Sequence, residues 1–248
     1  MKKTTITIAA ALLAGSMGLG TLISQAAEVE YEDATNARTE GTVIILENDS
    51  SNPVIPDPEN PGEEVDPEVP VNPHPGRLRI NYVSNFDFGK IPNISSEIVQ
   101  EARLDHVFSG TTEEGRVPFV ATEDRRGSDR LGWELQVSQP KQLSDASGHE
   151  LQGATITLSG LRYVNPTSAT PIANQNEIVL GEAAQTLATA NASQGAGAWT
   201  LALGNANAEG QTDGVVLRIP ANTTKNDTAY STALVWELVA DPTNASGE

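Results

Sequence analysis

Short runs in which apolar and polar residues alternate recur along this chain, and they restrict its fold more than any other feature. Leu78, Ile80 and Tyr82 alternate with Arg79 and Asn81, and Leu131, Trp133, Leu135 and Val137 alternate with Gly132, Glu134 and Gln136. Val117–Val120, Thr155–Leu158, Glu177–Leu180 and Trp199–Leu203 are further short runs, and Pro118 marks an edge or a strand start. Val215, Leu217 and Ile219 stop at Pro220, and Thr232, Leu234, Trp236 and Leu238 close the series. A period of two gives each strand one buried face, and turn residues separate the runs. The pattern predicts an all-β chain, an antiparallel β-sandwich-like domain. Two stretches fit it less well. Ser95–Leu104 suits a Ser-capped helix or an irregular strand, and the small residues of 181–197 suit a loop or a strand. Both are read as strand or loop.

Charge and composition remove several function classes. The 248 residues carry 15 Lys+Arg against 33 Asp+Glu, a formal charge of −18. Such a chain cannot neutralise phosphates in bulk, so no nucleic-acid partner is expected. The absence of Cys excludes disulfides, thiolate metal sites and a Cys nucleophile. Three scattered His do not make a metal cluster. No G-x-S-x-G, H-E-x-x-H or Gly-rich phosphate loop occurs, so the chain is read as neither an enzyme nor a cofactor binder.

Met1-Lys2-Lys3, the apolar run from Ile6 to Ile23 and the small residues of Ser24-Gln25-Ala26 have the three parts of a secretory signal. Residues 1–26 are read as a cleaved signal peptide, with a retained membrane helix as the competing reading. No later stretch is apolar enough to span a bilayer. The polar end, Asp241–Glu248, has no sorting motif or hydrophobic tail. The expectation is an exported chain that is either released or held on the outside without a covalent bond. Residues 27–46 are read as an N-terminal strand segment centred on Gly41–Leu46, which should pair with the main sheet or fray. Residues 47–76 are read as an acidic spacer: 53–76 hold eight Pro and six Asp or Glu, without Lys or Arg. That composition predicts a solvated, polyproline-like connection. Residues 77–248 form the main domain.

Two of the three Trp lie in the same tripeptide, Trp133-Glu134-Leu135 and Trp236-Glu237-Leu238. On a strand, residues two apart share a face, so each Trp points with its Leu and away from its Glu. These four apolar residues, Trp133, Leu135, Trp236 and Leu238, either form core or contact a ligand.

With these motifs the chain resembles the WxL-domain proteins of Gram-positive bacteria. The first motif follows Val120–Gly127, an acidic turn ending in Arg-Gly, and the closing motif follows Tyr230. Ser84-Asn85-Phe86-Asp87-Phe88-Gly89 matches an early F-x-F-G-like segment of the family. Glu in the middle of both motifs departs from the small polar residue common there. The resemblance implies non-covalent attachment to the cell surface, with peptidoglycan or another wall glycan as ligand. It also implies membrane-anchored WxL-interacting proteins and sortase-anchored surface proteins as partners. The alternative is a subunit of a surface complex, or an adhesin, that binds protein rather than wall. Arg125, Arg126 and Arg130 are the one dense basic cluster, either an anion site or locally paired with Glu123, Asp124 and Asp129. Since the chain and the wall are both anionic, retention should improve with moderate salt.

Overall fold

The computed structural model describes residues 30–31, 33–39, 41–46, 52–128 and 130–242, with side chains from residue 33 onward. The proposed signal peptide, Asp129 and most of the polar end lie outside these residues. The chain divides into two compact units, Met1–Asn48 and Asp49–Glu248.

In the first unit, β1 (Glu30–Tyr31) pairs with β2 (Ala37–Arg38). Asp33 makes the turn, its Oδ1 accepting from the N–H of Thr35 at 2.8 Å and of Asn36 at 2.9 Å. Gly41–Leu46, expected as a strand, forms none, and Val43, Ile44, Ile45 and Leu46 are 58–89% exposed. β-branched composition favours a strand only where another strand supplies the ladder and a packed face.

The second unit is all-β and antiparallel, as the alternation predicts. Its strands begin with β3 (Asp66–Pro67), β4 (Leu78–Val83), β5 (Ile98–Arg103), β6 (Asp105–Ser109) and β7 (Thr112–Arg116). They continue with β8 (Phe119–Asp124), β9 (Gly132–Ser138), β10 (Thr155–Leu158), β11 (Leu161–Arg162) and β12 (Ile172–Ala173). The last are β13 (Ile178–Val179), β14 (Gln185–Asn191), β15 (Gly197–Leu203), β16 (Gln211–Ile219) and β17 (Val235–Ala240). Three four-stranded sheets result, in the orders β13-β10-β16-β5, β11-β15-β8-β4 and β12-β14-β9-β17, and β3-β6-β7 form a smaller one. The two ambiguous stretches are strands β5 and β14.

All three large sheets turn a face to one core. Leu135 and Leu187, Ile156 and Leu217, and Val120 and Leu201 meet there, each at most 3% exposed. Each such side chain is worth about 1.5–3 kcal/mol when removed from water. β8 is buried on both faces, because Val120 enters this core while Phe119 and Ala121 enter a second one.

That second core corrects the reading of 53–76 as a solvated spacer. Ile55 and Val65 are buried with Tyr82, Val107, Phe119 and Ala121, and Val69 and Val71 pack against them. The chain here is a strap. Asn81 Nδ2 donates to the Val54 carbonyl at 2.9 Å, Arg79 Nη2 to that of Asn72 at 2.6 Å, and Thr200 Oγ1 to that of Pro56 at 2.7 Å. Arg116 clasps the buried carboxylate of Asp57, Nη2 to Oδ2 at 2.7 Å. Burial pushes the Asp57 carboxyl up, but Arg116 and the N–H groups of Glu59 and Asn60 outweigh it and hold it low. A short ladder forms at β3 despite the prolines, and apolar residues at alternate positions found a surface to cover.

Candidate functional site

The two W-E-L tripeptides, 103 residues apart in sequence, form a single surface. β17 pairs with β9 so that Trp133 lies opposite Ala240, Leu135 opposite Leu238 and Val137 opposite Trp236. Directly paired residues share a face, so the six side chains form one patch with a Leu pair at its centre. The indoles stand at opposite ends of it, four residues apart in register, about 13 Å along the strands.

Their surroundings differ. β9 is an inner strand between β14 and β17, whereas β17 is at the sheet edge. Trp133 is 1% exposed and Leu135 is fully buried, while Trp236 and Leu238 are half-buried. Trp133 Nε1 donates to the Gly195 carbonyl at 3.2 Å. Its slot is built from small residues: a Cβ on Gly195, where φ is +69°, would stand 2.6 Å from both the indole nitrogen and Ala190 Cβ. Gly132, at φ +120°, leaves no room for a Cβ against the Ala190 carbonyl. The small-residue stretch around β14 is therefore the wall of a Trp pocket. Glu134, the middle residue, accepts from Thr186 Oγ1 and from Gln136 Nε2.

Trp236 instead borders a cleft of about 980 Å³. The ring of Phe86 meets it edge-on, centroids 6.2 Å apart. Phe88, Ile91, Tyr230 and Leu234 complete the upper walls, and the core residues Ile98, Leu143, Ile156, Leu217 and Ile219 form the floor. One lip is the F-x-F-G segment after β4 and the other is the chain before β17. Asn93 Nδ2 joins them, donating to Asp227 Oδ1 at 2.8 Å and to the Lys225 carbonyl at 3.2 Å. Asn226 Nδ2 fastens the second lip to Asp145 Oδ2 at 2.8 Å. Chiefly through that bond, with help from Ser147 and the His149 N–H, the Asp145 carboxyl is held well below the usual range. Gly89, at φ +69°, passes against the Arg103 guanidinium, which pairs with Asp87 at 3.3 Å.

The arginine cluster meets carboxylates. Arg126 donates to Asp124 through Nε and Nη2, each at 3.0 Å, to Asp241 Oδ1 at 2.7 Å and to the Gly132 carbonyl at 2.7 Å. Asp241 also accepts from the Leu131 N–H at 2.9 Å, so this network ties the entry of β9 to the exit of β17. Arg125 lies 3.5 Å from Glu123, and Arg130 lies 4.0 Å from Asp124. Sequence reasoning missed the cleft itself. Apart from Trp236, its aromatic residues come from loops without periodicity, and the F-x-F-G segment was the available signal.

The fold and the paired motifs define a β-domain with an aromatic-walled cleft at its second signature strand. A family model described as WxL domain surface cell wall-binding matches residues 32–242, and the chain belongs to that family. It therefore carries a surface, cell wall-binding domain. No curated protein and no solved structure matches the chain. Among the described residues no helix is long and apolar enough to cross a membrane.

Proposed function

We propose that the chain is exported through residues 1–26 and held on the Gram-positive wall by non-covalent contact with peptidoglycan, in the cleft beside Trp236. The observation that carries this reading is the cleft of about 980 Å³ with Phe86, Phe88, Tyr230 and Trp236 at its walls. Aromatic faces bind the C–H faces of sugars and the apolar parts of peptides, and a cleft excludes water from both. Trp133 and Leu135, opposite Ala240 and Leu238, hold the strand that carries Trp236. The arginines 125, 126 and 130 act as framework, since each has a carboxylate within 4.0 Å.

The test is retention on purified sacculi. Trp236→Ala and Phe86→Ala are expected to reduce retention by about tenfold or more. Full retention by both variants would remove the cleft from the reading. Failure of the unmodified protein to bind sacculi would remove peptidoglycan.

A second reading, attachment through another surface protein, is favoured by the exposed run Val43–Leu46. Such a run suits strand addition to a partner's sheet edge. Recovery of an envelope protein with the wild-type chain, and its loss with Ile44→Lys, would support this second mode.

A further inference from the structure

Six of the ten arginines of this acidic chain lie beside carboxylates. Arg103, Arg116, Arg125, Arg126, Arg130 and Arg218 each lie within 4.0 Å of a carboxylate. The lysines do not. Beyond residue 26 the sequence has three, Lys90, Lys141 and Lys225, and none forms an ion pair with a described residue. Lys90 stands on one lip of the cleft and Lys225 on the other. Lys225 Nζ donates to the Thr223 carbonyl at 2.8 Å. Lys141 accepts from Thr232 Oγ1 at 2.6 Å through its carbonyl, and Thr232 is part of the cleft wall. Of the acids at the mouth, Asp87 is paired with Arg103, while Asp227 accepts from Asn93. Two lysines without a carboxylate partner among the described residues, Lys90 and Lys225, thus stand on opposite lips of one opening.

We infer that the cleft takes the peptide stem of peptidoglycan rather than its glycan strand, with stem carboxylates toward Lys90 and Lys225 and alanine methyl groups on the apolar walls. The inference rests on the peptidoglycan reading above and sharpens it. Charge favours an anionic ligand at the mouth. The floor favours an apolar one, because Ile98, Leu143, Ile156, Leu217 and Ile219 offer no partner to a buried hydroxyl. A peptide-free glycan brings hydroxyls and, on its muramic acids, a lactyl carboxylate, but no apolar side chains for the floor. A glycerol-phosphate polymer brings charge and no apolar body. A short peptide of small residues ending in carboxylates brings both, and its extended backbone finds polar partners in the side chains of Asn85, Asn93 and Thr232 along the walls.

Calorimetric titration of the purified full chain separates these ligands. The probes are a disaccharide-tetrapeptide, the free stem tetrapeptide, chitotetraose and a glycerol-phosphate polymer. The two peptide-bearing probes are expected to bind alike, and the other two at least about tenfold more weakly. The double variant Lys90→Gln/Lys225→Gln should lose about tenfold for the tetrapeptide, while Lys90→Arg/Lys225→Arg keeps most of the affinity. Chitotetraose or the phosphate polymer binding as tightly as the tetrapeptide would overturn the inference, as would unchanged affinity in the Gln double variant. Sacculi stripped of stems by an amidase provide the second arm. Retention on intact but not on stripped sacculi is the expected result. Retention on both overturns the stem while leaving the wall reading intact, and retention on neither overturns both.

Discussion

The same three residues, Trp-Glu-Leu, occur on β9 and on β17, and the fold gives them different work. On β9 the tripeptide is inside the sheet, and its indole fills a slot cut by Gly132, Ala190 and Gly195. On β17 it is at the edge, and its indole is shared between the core and a cleft. The difference comes from strand position rather than from residue type. An inner strand has neighbours to cover both ends of a large side chain, whereas an edge strand leaves one end open. A repeated motif therefore does not imply two equal binding points. Here one copy fixes the other, because Leu135 pairs with Leu238 and the Asp241–Arg126–Gly132 network locks the strand ends together.

The largest expected effect breaks the comparison if it fails. Trp133→Ala removes a side chain 1% exposed together with its hydrogen bond to Gly195, and should cost about 3–5 kcal/mol. Urea unfolding measures this. A loss no greater than that of Trp236→Ala would show that the slot is not tight and that the two motifs are equivalent after all.

Gly195→Ala comes next. It places a Cβ against the indole in a left-handed conformation and should cost about 2–3 kcal/mol from strain and overpacking. The double variant with Trp133→Ala should cost less than the sum of the two, since removing the indole makes room. Strict additivity would mean that Gly195 is needed for its backbone alone.

Trp236→Ala is the counterpart. A half-buried indole on an edge strand should cost only about 1–2 kcal/mol, yet sacculus retention should fall further than stability explains. Parallel loss of the two would make the second motif core like the first, and would move the binding surface away from the cleft.

These contrasts also mark what the sequence could convey. The strands with one buried face were legible, because alternation records a face, and both W-E-L runs were placed on strands for that reason. Which copy lay inside was not legible, since strand order depends on pairings far apart in sequence. The hairpin β6–β7 was missed because Thr112–Arg116 is polar throughout, although Ser109-Gly110-Thr111-Thr112 marks a two-residue turn with Gly110 at φ +63°. The strap was missed because its eight prolines and its charge drew the eye from a period of two. Val65, Pro67, Val69 and Val71 face inward while Asp66, Glu68 and Pro70 face water. The arginine cluster allowed two readings, an anion site or local pairing with Glu123, Asp124 and Asp129, and a one-dimensional list does not show that Asp241 also returns to meet Arg126.

The smallest effect concerns the lip that frames Trp236. Asp145 holds Asn226 at 2.8 Å and is itself held by Ser147 and the His149 N–H, so its carboxyl titrates below the ordinary aspartate value of 3.8. The sign follows from linkage. A carboxyl whose folded value is depressed contributes fully above the unfolded value and loses that contribution as pH falls through the folded one. Acidification from neutral to about pH 4 should therefore leave the lip fastened, and release should come only at lower pH. The side-chain amide signal of Asn226 reports this directly by NMR. Its midpoint should lie below 3.8, and Asp145→Asn should abolish the transition with only a small fall in melting temperature. A midpoint at or above the ordinary value would mean that this lip is loose. The cleft would then owe its shape to the Asn93 bridge alone, and the second motif would be less firmly framed than the first by more than its edge position explains.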